Sequence, residues 1–228
     1  MRARLAVFDM VGTTIQSGDD VPTSFREALL SVGVTATDAD IKGVRGRSKK
    51  DAIAELLTAR DATKMADRSQ VELVHRRFQE ALRAAYRSGA EAIPGADRVF
   101  EALHRGRVAV VLNTGLDRDT AELLVDSVGW SALGLRGLVT GDDVERGRPA
   151  PDLIHAAMRL AGIENPGEVV AIGDTTADLD AAAAAHVGWS VGVLTGAHAR
   201  IRLESHPHSV ILNTVDELPE WLAEVGAI

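Results

Sequence analysis

The sequence contains no cysteine. That absence excludes a disulfide framework, a thiolate nucleophile and any cysteine-ligated zinc or iron–sulfur centre. Positive charge is also scarce: 25 Lys and Arg stand against 33 Asp and Glu, a net charge of -8. Phosphate backbones are held by a surplus of Lys and Arg, so no nucleic-acid partner is expected. The one local exception is the cluster Lys42, Arg45, Arg47, Lys49 and Lys50. Long apolar runs are missing too. The run after Arg2 and Arg4 is short and broken by Asp9, unlike a secretion signal or a membrane span, so a cytoplasmic protein with no membrane partner is expected.

What is present is an ordinary globular composition, 46% hydrophobic and 25% charged over 228 residues. That length suits one domain with a large insertion, or two small ones, and either buries a core. The stretch Leu5-Ala6-Val7-Phe8-Asp9-Met10-Val11-Gly12-Thr13-Thr14 organises the rest. A continuous apolar run followed by Asp, Gly and hydroxyl residues reads as a buried parallel strand that delivers one carboxylate into a loop.

From Val21-Pro22 onward Phe25, Ala28, Leu29 and Val32 share a helical face that Gly33 ends. Asp38 to Val44 reads as a second helix, Ser48 as the N-cap of a third, and Lys64 to Tyr86 as a long fourth. Residues 16–90 are therefore expected to form a helical cap inserted after the first strand, with residues 1–15 and 91–228 as the core. Past Ile93-Pro94-Gly95-Ala96, apolar strands alternate with helices: Val108 to Leu112, Leu138 to Thr140, Val169 to Ile172, Ser190 to Leu194 and Val210 to Leu212. A helix is expected from Leu179 to His186. This alternation specifies an α/β Rossmann-like parallel sheet covered on both faces. Trp130, Trp189 and Trp221 are expected to pack in the core, and His198, His206 and His208 to be exposed.

Ligands in such sheets bind beyond the carboxyl ends of the strands. Asp9, Thr114 and Asp174 stand at those ends, with Asp178 four residues beyond Asp174. Carboxylates crowded together call for a cation, and all-oxygen ligation with retained waters suits Mg²⁺. Thr114-Gly115 offers a hydroxyl and backbone N–H groups for a phosphoryl oxygen, and Arg148 a permanent positive charge.

Four stretches, Asp9 to Thr14, Asn113-Thr114-Gly115, Gly147 to Pro151 and Gly173 to Asp178, resemble in order the four motifs of the haloacid dehalogenase (HAD) superfamily. Within it, the Gly-Thr-Thr of the first motif, Thr-Gly after the second strand and Arg148 in place of the usual lysine are similar to the phosphonatase-like branch. The resemblance implies a hydrolase with Asp9 as the nucleophile, passing through an aspartyl-phosphate. It implies that Asp9, the Val11 carbonyl and Asp174 bind Mg²⁺, with Asp178 supporting the metal shell. Thr114 and Arg148 would hold phosphoryl oxygens, with Thr13, Gly115 and Arg47 beside the substrate.

Valine at 11 is a departure from the ordinary phosphatases of the superfamily, which carry there an aspartate that moves a proton to the leaving oxygen. A leaving group stabilised in another way does not need it. In the phosphonatase branch a cap lysine forms an imine with a substrate aldehyde, and Lys49 falls at that position, with Ala52 where the branch has histidine. Such an amine must be partly neutral, its pKa lowered from about 10.4 by burial or by cations such as Arg47 and Lys50. The expected substrate is a small phosphonate such as phosphonoacetaldehyde. The alternatives are a phosphatase for a small phosphorylated metabolite and a non-catalytic phosphate-binding relative. Family analogy and apolar Phe25, Leu29 and Val32 suggest a homodimer through the first cap helix.

Overall fold

A computed structural model describes residues 2–59 and 67–228. Six strands, β1 (Leu5–Asp9), β2 (Ala109–Asn113), β3 (Gly137–Val139), β4 (Val169–Gly173), β5 (Trp189–Val193) and β6 (Val210–Leu212), form one sheet in the order β3-β2-β1-β4-β5-β6. Every pairing is parallel. The chain steps outward from β1 through β2 to β3, then returns to β1's other side and steps through β4, β5 and β6. The strand order therefore reverses between β1 and β4, which is where sheets of this kind leave a crevice for a ligand.

Side chains alternate across the sheet with a period of two. Ala6, Phe8, Val110, Leu112, Val170 and Ile172 face one cluster, and Leu5, Val7, Val111, Val169 and Ala171 face the other. The first face is covered by α5 (Ala96–Arg105), α6 (Arg118–Ser127) and α10 (Leu218–Glu224). The second is covered by α7 (Asp152–Ala161) and α8 (Thr176–Ala184). Burial on both faces explains why these strands read as unbroken apolar runs.

Between β1 and α5 the described chain supplies four helices, α1 (Asp20–Leu30), α2 (Asp38–Gly43), α3 (Lys49–Thr58) and α4 (Arg68–Tyr86). They form the helical cap. The Lys64 start expected for the fourth lies outside the described residues; α4 is N-capped by Asp67, whose side chain accepts from the Ser69 N–H. Ser48 stands at the N-cap position of α3, but its hydroxyl makes no capping bond. Phe25 and Leu29 of α1 are buried, and the Phe25 ring lies 4.4 Å from that of Phe78 on α4. Of the three apolar residues on which a dimer was expected, Phe25 and Leu29 are thus turned inward and Val32 is half-buried, while Leu30 is the large apolar side chain that α1 exposes.

Two local differences from the sequence reading have simple causes. Helix α8 begins at Thr176, three residues before the expected Leu179, because Thr175 and Asp178 close a reciprocal capping box. A four-residue helix, α9 (Arg200–Leu203), is too short to show a helical period. Among the described residues no helix is long and apolar enough to cross a membrane.

Phe100 of α5 makes edge-on contacts with Phe8, at 5.2 Å, and with Trp130, at 5.0 Å. Removing a fully buried ring leaves a cavity as well as losing its transfer free energy. Phe100→Ala is therefore expected to cost about 3–5 kcal/mol in urea unfolding, and a loss below 1 kcal/mol would contradict this packing.

Candidate active site

Three loops meet at the carboxyl edge of the sheet. The first leaves β1 at Asp9 and is fastened at once, the Thr14 hydroxyl donating to the Asp9 carbonyl at 3.0 Å and the Thr14 and Ile15 N–H groups to the Met10 carbonyl. Gly12 turns this loop with a φ of +100°, a conformation that L side chains avoid. A Cβ there would lie 2.6 Å from Asp174 Oδ2. The second loop, after β4, presents Asp174 itself. Its Oδ1 accepts from the Thr13 hydroxyl at 3.2 Å and its Oδ2 from the Ala197 N–H at 2.6 Å. The third follows β5, and a Cβ on Gly196 would stand 1.9 Å from Asp174 Oδ2. Two glycines thus leave the space that the carboxylate fills.

Arg148 enters from the loop between β3 and α7. Its Nη2 donates to Asp9 Oδ1 at 2.6 Å and its Nη1 to Asp178 Oδ1, with only 4% of the side chain exposed. Asp178 is committed to protein donors on both oxygens, since Oδ2 accepts from the Thr175 N–H at 3.0 Å and from the Thr175 hydroxyl at 2.5 Å. It caps α8 and fixes the guanidinium. Burial works against the charge on Arg148, but Asp178 and Asp9 outweigh it and hold the group protonated.

The carboxylates are less well served. Burial pushes the Asp9 carboxyl above its ordinary value, Arg148 opposes this, and Asp178 adds to it. Asp174 is pushed up to about 7 by burial and then by Asp9 and Asp178, against the Ala197 N–H. Desolvated like charges want a cation.

The cap closes the chamber from above. Asp9, Val11, Val21, Phe25, Arg45, Lys49, Thr114, Gly115, Leu116, Arg148 and Asp174 all line one cavity of about 40 Å³. Most of the residues expected at the site are therefore brought together. Thr114 is buried and its hydroxyl accepts from the Leu116 N–H at 3.2 Å. The Lys49 residue keeps some surface in the cleft, but its amino group lies deep among protein atoms, and its pKa falls to about 8. Burial is the main cause, reinforced by Arg148 and Arg45 and opposed by Asp9. Lys49 and Gly115 also border a second cavity of about 320 Å³ between α3, α4 and the core loops.

Two expected site residues are engaged elsewhere. Arg47 pairs with Glu55 on the next helix rather than lining the cavity. Thr13 is fully buried and spends its hydroxyl on Asp174. The place that sequence reasoning gave to Arg47 is filled by Arg45. Gly46, with a φ of +81° and room for no more than a hydrogen against Thr175, carries the loop close enough for Arg45 to reach in. A glycine set among cations was the available signal. Likewise Thr195-Gly196, just past β5, echoes Thr114-Gly115, which marked β2's end. His198 is buried rather than exposed, its Nδ1 accepting from the Thr176 N–H at 3.0 Å.

The donor set fits a hard divalent cation. Asp9 and Asp174 offer carboxylate oxygens, Val11 lines the same cavity, and its carbonyl accepts no hydrogen bond from the described residues. No three His, Cys, Asp or Glu side chains among the described residues gather into a metal cluster. Two carboxylates, one carbonyl and several retained waters are nonetheless the coordination that Mg²⁺ favours.

The haloacid dehalogenase-like hydrolase family model matches residues 3–186. A phosphonoacetaldehyde hydrolase of Bacteroides fragilis is 26% identical over 235 residues, covering 97% of this chain and 89% of that protein. The solved structure of a phosphonoacetaldehyde hydrolase-like protein from Oleispira antarctica superposes with a TM-score of 0.88 at 19% identity, over 99% of this chain and 93% of the other. A hydrolase from Pseudomonas syringae superposes with a TM-score of 0.87 at 25% identity, over 97% and 99%.

The Lys49 environment makes a direct prediction. If the lysines are ¹³C-methylated and followed by NMR, one resonance is expected to titrate near pH 8 and to vanish in Lys49→Met. A Lys49 midpoint near the ordinary lysine value of about 10.4 would contradict the buried amine.

Proposed function

This chain belongs to the haloacid dehalogenase-like hydrolase family, and we propose that within it the protein is phosphonatase-like, cleaving the carbon–phosphorus bond of a small phosphonate such as phosphonoacetaldehyde with Mg²⁺ as cofactor. One observation carries this reading. The amine of Lys49 shares a cavity with Asp9, has no carboxylate paired with it among the described residues, and has a pKa of about 8. A lysine that is partly neutral near pH 8 is suited to carbonyl chemistry and poorly suited to serve only as a fixed charge. Relatives named phosphonoacetaldehyde hydrolase, matched over nearly the whole chain, support the same substrate.

The steps follow from the residues. The Lys49 amine adds to the aldehyde carbon, water leaves, and a protonated imine remains. Asp9 then attacks phosphorus in line, the carbon–phosphorus bond breaks, and its electron pair moves into the imine to give a neutral enamine. Thr114 and Arg148 would hold the phosphoryl oxygens through this transfer. Bound at Asp9, the Val11 carbonyl and Asp174, Mg²⁺ would neutralise charge on the phosphoryl group. The enamine takes a proton on carbon and water hydrolyses the imine, releasing acetaldehyde and the free amine. A second water cleaves the aspartyl-phosphate. The net reaction consumes one water and yields acetaldehyde and phosphate.

This chemistry explains why valine is tolerated at position 11. An ester would release an alkoxide that needs a proton from a neighbouring acid, which valine cannot supply. An enamine leaves without one. Asp178 has no chemical step here; it holds Arg148 in place.

Borohydride reduction in the presence of phosphonoacetaldehyde tests the reading. The expected product is a stable two-carbon adduct on Lys49, absent from Lys49→Arg. No adduct, together with turnover of phosphate esters, would replace the proposal with the phosphatase reading.

A further inference from the structure

Of the basic cluster before and within the start of α3, Arg47 pairs with Glu55 and Lys50 with Glu72. Arg45 has no such partner among the described residues. Its Nη2 donates to the neutral Ser17 hydroxyl at 2.6 Å, and no described carboxylate forms an ion pair with it. Yet it is half-buried and lines the same cavity as Asp9 and Lys49. Its charge acts on both Lys49 and Asp174. A guanidinium drawn partly out of water beside a neutral partner is short of an anion, and a carboxylate is the planar group that its donors match best.

The phosphoryl group does not meet that need. Thr114 and Arg148 stand at its end of the cavity, on the core side, while Arg45 and Lys49 come from the cap. Lys49 and Arg45 are four residues apart on one loop and helix start, with Gly46 pinned against Thr175 between them. A carbonyl carbon at Lys49 and a carboxylate bonded to that same carbon would therefore meet two neighbouring groups of one segment.

We propose that Arg45 is the specificity-determining residue of this site, and that it selects a short phosphonate whose carbonyl carbon also bears a carboxylate, a 3-phosphono-2-oxo acid, over the simple aldehyde. This rests on the phosphonatase-like reading above and names its substrate class. The steps are unchanged in their balance: Lys49 condenses with the ketone and expels water, Asp9 takes phosphorus, and the carbon–phosphorus pair passes into the enamine. Protonation on carbon and hydrolysis then release a 2-oxo acid.

The test uses two unreactive phosphonates of equal chain length, 3-phosphonopropionate and propylphosphonate, titrated calorimetrically into the full chain with Mg²⁺. 3-Phosphonopropionate is expected to bind about 10- to 100-fold more tightly, the usual worth of a charge-assisted hydrogen bond to an ionised group. Arg45→Met is expected to remove that preference, and Arg45→Lys, which keeps a charge without the planar fork, to retain part of it. Steady-state kinetics should agree, kcat/KM for 3-phosphonopyruvate over that for phosphonoacetaldehyde falling at least tenfold in Arg45→Met. Equal binding of the two phosphonates overturns the inference and leaves the phosphonatase-like reading standing. Preference that survives Arg45→Met and is lost in Lys49→Met also overturns it, by moving the carboxylate to Lys49. Failure of both compounds to bind overturns both readings.

Discussion

The site depends on one electrostatic constraint, the burial of Asp9, Asp174 and Asp178 at a single rim of the sheet with Arg148 set between two of them. A buried charge is costly unless paired. Arg148 satisfies Asp178 and one oxygen of Asp9, so it cannot also neutralise Asp174. The remaining imbalance appears as the raised pKa of Asp174, about 7. The same imbalance makes the rim receptive to a cation.

The fold supplies this arrangement cheaply. Because β1 and β4 are neighbours at the point where strand order reverses, their carboxyl ends place Asp9 and Asp174 side by side without any unusual backbone in the strands. Glycines do the fine placement. Gly12 and Gly196 make room for the Asp174 carboxylate, and Gly173 makes room for Asp178. Gly46 against Thr175 and Gly147 against Ser48 let the cap loop lie directly on the core loops. Through that contact the cap brings Lys49 and Arg45 to the cavity that Asp9 lines from the core side.

Much of this was legible in the sequence because the strands are buried on both faces and so declare themselves as apolar runs, each ending in a residue able to do chemistry. Asp9, Thr114 and Asp174 were found that way, Arg148 from its place just before a helix start, and the four share one cavity. The cap was harder to read. Its helices carry many cations on exposed faces, and nothing in the spacing of Arg45, Arg47, Lys49 and Lys50 says which of them Glu55 and Glu72 will claim. Pairing partners eight or more residues distant decide that, and they follow from tertiary packing. The loop after β5 escaped notice for a related reason: what it brings to Asp174 is a backbone N–H and a glycine, not a side chain. His198 was misjudged because a histidine in a polar loop gives no sign that a neighbouring helix start will donate to it.

The central claim, that Asp9 and Asp174 share a divalent cation, is tested most directly by calorimetric titration with Mg²⁺ in buffers of different ionisation enthalpy near pH 6.5. Binding one ion per chain with release of part of a proton is predicted, since the cation would pull down a carboxyl whose pKa is about 7. Asp174→Asn should abolish both signals. Binding that is absent, or that survives Asp174→Asn with the same proton release, would contradict the account.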